Sequence, residues 1–125
     1  MGFLDWFTGG AAVQPTPIRT LPQWQEQVQA SKVPVILEVW SDNCPPCRRM
    51  VPVLDKVARR YDGRVRVVTV GTDADGALLR MLRVRSTPTL VIYEAGEELG
   101  RMVGFRPEGW FHQMIAAEFP EASGG

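Results

Sequence analysis

Both cysteines of the chain fall in one decapeptide, Trp40-Ser41-Asp42-Asn43-Cys44-Pro45-Pro46-Cys47-Arg48-Arg49, at a junction between two hydrophobic periods. Upstream, Val35-Ile36-Leu37-Glu38-Val39-Trp40 is short, β-branched and almost wholly apolar, the pattern of a buried strand. Downstream, Met50, Val53, Leu54, Val57 and Ala58 recur at helical spacing. Arg48, Arg49, Asp55, Lys56, Arg59 and Arg60 fill the other face, which predicts a helix over 47–61. The chain therefore turns from strand to helix at Cys44.

A helix N-terminus presents unpaired N–H groups and partial positive charge. A thiolate placed there is favoured over the thiol, which makes Cys44 the nucleophilic sulfur near neutral pH. With Cys44 as N-cap, Pro45 and Pro46 occupy the first turn, where a missing N–H is tolerated and the fixed φ suits the helix. The two prolines also remove two donors to the sulfur, leaving the Cys47 N–H. Cys47, one turn in, is placed to attack a mixed disulfide on Cys44. An exposed attacking thiolate and a partly covered resolving thiol are what dithiol–disulfide exchange requires.

The motif alone leaves other readings open: a structural disulfide, or half of a metal site. A zinc centre takes four ligands. Two Cys and one distant His, His112, do not supply a Cys-rich tetrahedron from one chain. A metal carrier would need Cys44 and Cys47 from two chains.

Beyond the motif, the chain resembles the thioredoxin family over roughly residues 20–119. Val39-Trp40-Ser41 stands before the first cysteine as an apolar-Trp-small triplet does in thioredoxins. Pro46 matches the proline before the second cysteine, and Pro52 the kinking proline of the same helix. Ser86-Thr87-Pro88-Thr89-Leu90 looks like the family's cis-proline segment, with Pro88 placed 41 residues after Cys47. Gly96 and Gly104 match the hairpin and strand-end glycines. The departures are local. Asn43 replaces the Trp before the first cysteine, and Pro45 the Gly after it. Glu38 stands where the family has a buried Asp, and Thr69 where it has the facing Lys.

The resemblance implies a cis Thr87–Pro88 bond beside the cysteines, with the Thr87 backbone free to pair with an extended substrate segment as an added strand would. It also implies a proton-transfer role for Glu38. Facing the core below Cys47, its carboxyl is pushed up by desolvation and can accept and return the Cys47 proton. Trp40, Asn43, Pro45, Pro46, Thr87 and Pro88 are the expected substrate-binding residues, with Asp42 beside them. Arg48, Arg49 and Arg85 are expected to add positive charge around the sulfurs.

A chain of 125 residues predicts one domain with a sufficient core. Net charge is zero, and no basic stripe with interleaved aromatics suggests nucleic acid. Residues 1–18 read as an N-terminal arm and linker, 19–120 as a thioredoxin-like domain and 121–125 as a flexible tail. The arm lacks a basic n-region and a long apolar stretch, so it is a poor signal peptide and too short to span a bilayer. Phe3, Leu4, Trp6 and Phe7 make it either a docked terminus or a hook for a partner or a membrane surface.

Thr20, Pro22 and Gln23 mark a first helix. Val65 to Val70 form a second buried strand, and Asp73 to Leu82 a short helix. Leu90 to Tyr93 and Leu99 to Val103 form a hairpin around Ala95-Gly96-Glu97. Arg106-Pro107-Glu108 opens a last helix, with Trp110, Phe111, Met114, Ile115 and Phe119 inward and His112 on the solvated side. The expected fold is α/β of the thioredoxin type: a central mixed sheet of four or so strands with helices on both faces.

The expected function is reduction of protein disulfides, with Cys44 attacking and Cys47 resolving. No bound cofactor or metal is implied. The partners are disulfide-containing proteins and a thioredoxin-reductase-type reductant or another dithiol. The lack of a signal favours the cytoplasm and the reducing direction. Two alternatives stand beside it: an oxidase or isomerase with a more oxidising couple, and a binding module that keeps the fold and uses the groove near Pro88.

Overall fold

The computed structural model describes residues 13–124. Five strands form one mixed sheet, ordered β1-β3-β2-β4-β5. They are β1 Thr16–Pro17, β2 Val35–Trp40, β3 Arg66–Gly71, β4 Thr89–Glu94 and β5 Glu97–Val103. Helix α1, Leu21–Trp24, opens on Thr20 through a capping box with Gln23 and continues as a π-helical turn over Gln25–Gln29. Helices α2 Pro45–Arg60, α3 Gly76–Leu82, α4 Glu108–Glu118 and α5 Pro120–Ser123 complete the chain.

Strand β2 is the axis of the sheet. It runs parallel to β3 and antiparallel to β4. Side chains alternate across a strand, so β2 delivers two different faces. Val35, Leu37 and Val39 pack with Trp24, Val28, Leu78 and Leu82 under α1 and α3. Ile36 packs with Met50, Leu54, Val57, Phe111 and Ile115 under α2 and α4. Glu38 lies in phase with Ile36, so its carboxyl points to the α2 side.

Helix α2 runs unbroken through Pro52, although that residue removes one backbone donor from its interior. At the other end of the sheet, Ala95 and Gly96 both take positive φ, 53° and 82°. That pairing suits a tight hairpin turn, whose twist matches the flanking strands. A Cβ on Gly96 would also lie 2.9 Å from the Gln29 carbonyl oxygen.

Three expectations are corrected. Residues 16–18 are not linker: Thr16 and Pro17 pair in parallel with Val68 and Thr69, the Ile18 N–H donates to the Thr69 carbonyl at 2.9 Å, and Ile18 is buried. A two-residue edge strand containing proline carries no periodicity, so pattern alone does not reveal it. The C-terminal tail is ordered further than expected, because α5 follows Pro120 and Ala122 is buried in the α2–α4 core. His112 is not merely solvated: it is half-buried, with Nδ1 at 2.8 Å from the buried Tyr61 hydroxyl and Nε2 at 2.8 Å from Glu108. The aromatic hook at Phe3, Leu4, Trp6 and Phe7 lies outside the described residues.

Ile18 sits on the α1–α3 core through a strand of only two residues, so its side chain is a main anchor of that edge. Ile18→Ala is expected to lower the unfolding free energy by about 2–4 kcal/mol in a urea titration. A loss within about 0.5 kcal/mol would mean that this edge is not part of the cooperative unit.

Candidate active site

The end of β2 and the start of α2 place the sulfurs. Cys44 has extended backbone, φ −122° and ψ 94°, and is the N-cap of α2. Its Sγ accepts from the Cys47 N–H at 3.2 Å. Asn43, just before it, takes φ 56°, a left-handed conformation that Asn tolerates better than most side chains. Pro45 and Pro46 form the first turn of the helix. Cys44 and Cys47 are joined as a disulfide, with Cα atoms 5.2 Å apart.

The two sulfurs do not differ in exposure as expected. Cys44 is 8% exposed and Cys47 is 5% exposed. Their surroundings differ instead. Cys44 faces the loop before β4, where the Thr87 hydroxyl lies 3.7 Å from its Sγ. Thr87 in turn shares a 2.6 Å hydrogen bond with the Ser41 hydroxyl. The Thr87–Pro88 bond is cis, and the buried Pro88 accepts at its carbonyl from the Gly104 N–H at 2.8 Å.

Cys47 faces a different space. It lines a cleft of about 380 Å³ with Glu38, Trp40, Leu54, Thr69 and Arg48. Asp42, Asn43, Gln14 and Pro15 close its rim. Glu38 is 2% exposed, and its Oε2 has no hydrogen-bond partner among the described residues. Thr69 stands directly opposite it on β3, with no charge to offer. Desolvation by burial pushes the Glu38 carboxyl up from 4.5 to about 7.

The structure thus gathers Glu38, Trp40, Asn43 and Cys47 on one cleft, and Cys44 with Thr87 on its other flank. Pro45 and Pro46 cap the helix between them. Arg48 is exposed on the cleft rim, while Arg49 is exposed with its guanidinium 4.9 Å from the Phe105 ring centre. Arg85 belongs to neither flank of the Glu38 cleft; it lines a second cleft of about 290 Å³ behind Ser41 and Thr87.

Two residues of the site went unread in the sequence. Gly71 ends β3 where a Cβ would lie 2.8 Å from the Trp40 ring, so the absence of a side chain lets the indole lie against that strand. A glycine at the end of a strand is the signal for such close approach. Ser41 was read only as a small residue after Trp40; its hydroxyl partner is 46 residues away, and no local pattern marks it.

A disulfide at a helix N-terminus, a hydrogen-bond donor on one sulfur and a buried carboxyl beside the other define a dithiol–disulfide exchange site on an α/β sheet. The thioredoxin family model matches residues 16–117. Thioredoxin 1 of Nostoc sp. is 35% identical over 92 residues, covering 74% of this chain and 86% of that protein. The chloroplastic thioredoxin M4 of Arabidopsis thaliana is 33% identical over 108 residues, covering 86% of this chain and 55% of its own. A mutant thioredoxin from Halobacterium salinarum NRC-1 superposes with a TM-score of 0.75 at 25% identity, over 85% of this chain and 91% of that one. The chain belongs to the thioredoxin family. It is a thiol–disulfide oxidoreductase that acts on disulfide-containing substrates and is returned to the dithiol by a reductase.

The raised carboxyl has a consequence for stability. Between about 4.5 and about 7 the native state holds a proton on Glu38 that the unfolded chain has lost. Stability therefore falls as pH rises through this window, by something on the order of 3 kcal/mol once Glu38 is ionised. Glu38→Gln is expected to flatten that fall, so that the variant gains on the parent between pH 5 and pH 8 in paired denaturant titrations. Parallel curves for the two proteins would show that Glu38 ionises normally.

Proposed function

We propose that Cys44 attacks a protein disulfide, Cys47 resolves the mixed disulfide, and Glu38 carries the Cys47 proton. The single observation behind this division of labour is the asymmetry around two equally buried sulfurs. Cys44 receives the Cys47 N–H at the head of α2, whereas Cys47 shares its cleft with a buried carboxyl pushed up to about 7. Donors stabilise a thiolate before substrate arrives, which suits an attacking sulfur. A base with a pKa near neutrality suits a sulfur that must lose its proton only during resolution.

The electrons balance in two steps. The Cys44 thiolate displaces one substrate sulfur, which leaves as a thiolate and takes a proton from solvent. Cys47 gives its proton to the ionised Glu38 carboxylate and displaces the second substrate sulfur from Cys44; that sulfur leaves as a thiolate and takes a proton from Glu38 or solvent. The substrate leaves as a dithiol and the protein keeps the Cys44–Cys47 disulfide. Trp40, Asn43, Pro45 and Pro46 form the surface that meets the substrate around the motif. Thr87 and Pro88 form its second edge, where the Thr87 backbone pairs with an extended segment of substrate. An NADPH-linked reductase of the thioredoxin-reductase type, or another dithiol, renews the dithiol. The reducing direction suits a reducing compartment such as the cytoplasm.

The reduction potential tests the direction. Equilibration in thiol redox buffers is expected to give a value near or below about −270 mV. A value between about −180 and −120 mV would reassign the protein to oxidation or isomerisation. The roles of the sulfurs are tested by trapping. Cys47→Ser is expected to accumulate a mixed disulfide with a client protein carrying one intact disulfide, and Cys44→Ser is not; trapping by Cys44→Ser would exchange the two roles. In stopped-flow turnover, Glu38→Gln is expected to slow resolution by about 10²-fold and leave formation of the mixed disulfide within about twofold. Equal slowing of both steps would remove the assigned proton transfer.

A further inference from the structure

Helix N-termini commonly offer several N–H groups to a sulfur seated on them. Here Pro45 and Pro46 supply none, so the Cys47 N–H is the one backbone donor recorded at the Cys44 Sγ among the described residues. Cys44 is nonetheless 8% exposed, which leaves little room for solvent to make up the difference. A buried anion with one donor is costly, and each added hydrogen bond to the charged form lowers its pKa.

The side chain best placed to add one is Thr87, with Oγ1 3.7 Å from the sulfur. Its hydroxyl has one other side-chain partner among the described residues, the Ser41 hydroxyl at 2.6 Å. Ser41 in turn has no second side-chain partner recorded among them. Each hydroxyl carries one proton and can accept two more. Two arrangements satisfy the geometry. In one, Thr87 donates to Ser41 and the sulfur keeps a single donor. In the other, Ser41 donates to Thr87 and Thr87 donates to the sulfur, so that both protons point toward Cys44 and each bond polarises the next.

We propose that Ser41 and Thr87 form a two-hydroxyl relay that tunes Cys44, with Thr87 donating to the Cys44 thiolate and Ser41 donating to Thr87 behind it. A disulfide sulfur is a weak acceptor and a thiolate a strong one. The relay therefore points at the sulfur in the dithiol enzyme and is free to turn away in the disulfide enzyme. It replaces donors that the two prolines remove, and it works through side chains from a segment remote in sequence. Ser41 is a positioning residue here, acting on the sulfur through Thr87. The inference rests on the reading that Cys44 is the attacking sulfur.

The test is the pH profile of Cys44 alkylation by iodoacetamide in the reduced full chain, with the modified cysteine located by peptide mass. The parent is expected to show a midpoint below that of a free thiol, about 8.5. Thr87→Val, which keeps shape and removes the hydroxyl, is expected to raise the midpoint by roughly one unit and to slow alkylation well below the midpoint about tenfold. Thr87→Ser keeps a hydroxyl and is expected to restore the parent profile, which separates loss of the donor from loss of packing. Ser41→Ala is expected to raise the midpoint by a smaller amount, and to add nothing when combined with Thr87→Val. An unchanged midpoint in Thr87→Val, or an equal rise in Thr87→Ser, overturns the donor role. A Ser41→Ala shift that persists undiminished in the Thr87→Val background overturns the relay. A parent midpoint at the free-thiol value overturns both this proposal and the assignment of Cys44 as attacker, whereas a depressed midpoint indifferent to Thr87 overturns the relay alone.

Discussion

The alternation of side chains along β2 is the constraint on which both the core and the site depend. β2 lies at the centre of the sheet, hydrogen-bonded to β3 on one edge and β4 on the other. Its odd positions, Val35, Leu37 and Val39, build the α1–α3 core, and Ile36 builds the α2–α4 core. In phase with Ile36, Glu38 is carried below the sulfurs and Trp40 beside them. A slip of one residue in register would turn Glu38 into the α1–α3 core and Val39 into the cleft. Pairing on both edges excludes that slip. The same hydrophobic pattern that stabilises the sheet therefore also holds an unpartnered carboxyl in place. That residue is tolerated because the surrounding burial is large and because the carboxyl can remain protonated.

What was legible in the sequence follows from how local each signal is. The strand-to-helix switch at Cys44, the N-cap, the proline first turn and the capping box at Thr20 are all written within a few residues, and each is found where expected. The cis Thr87–Pro88 bond was reached through family resemblance, not through the residues' own physics. Features made by contacts between distant segments were not legible. Thr16–Pro17 forms a strand only because β3 offers an open edge. His112 leaves the solvated class only because Tyr61, 51 residues earlier, presents its hydroxyl. Ser41 looks like filler until Thr87 is brought beside it. The burial of Cys44 was missed for the same reason: helix position says where its sulfur starts, and the Thr87 loop decides how far it is covered.

Similar burial of the two cysteines shifts the weight of the chemistry from access to hydrogen bonding. If exposure alone separated attacker from resolver, 8% against 5% would hardly choose between them. Donor supply does choose. The Cys44 sulfur is served by an N–H and faces a hydroxyl, both of which favour the anion. Cys47 lines the cleft that also holds Glu38, whose carboxyl burial pushes up to about 7. A second negative charge in that cleft raises the free energy of both groups, so ionisation of one disfavours ionisation of the other.

That coupling gives meaning to the replacement of a cation by Thr69 opposite Glu38. A cation on β3 would lower the carboxyl's pKa and favour its ionised, proton-accepting form. With Thr69 there instead, burial alone sets the pKa, at about 7. Near neutrality the carboxyl is then divided between acid and base forms, able to donate in one direction of exchange and accept in the other. The balance is sensitive to what covers the cleft. A substrate that displaces solvent from Trp40, Asn43 and the rim raises the carboxyl pKa further, which makes its ionised form a stronger base at the step in which the Cys47 thiol gives up its proton. The longer side chain of Glu, compared with Asp, extends the carboxyl from the strand toward the cleft, where the next charge appears. In the proposed mechanism, substrate docking and proton transfer are linked through one desolvated group, and the link follows from the position of Glu38 in the period of β2.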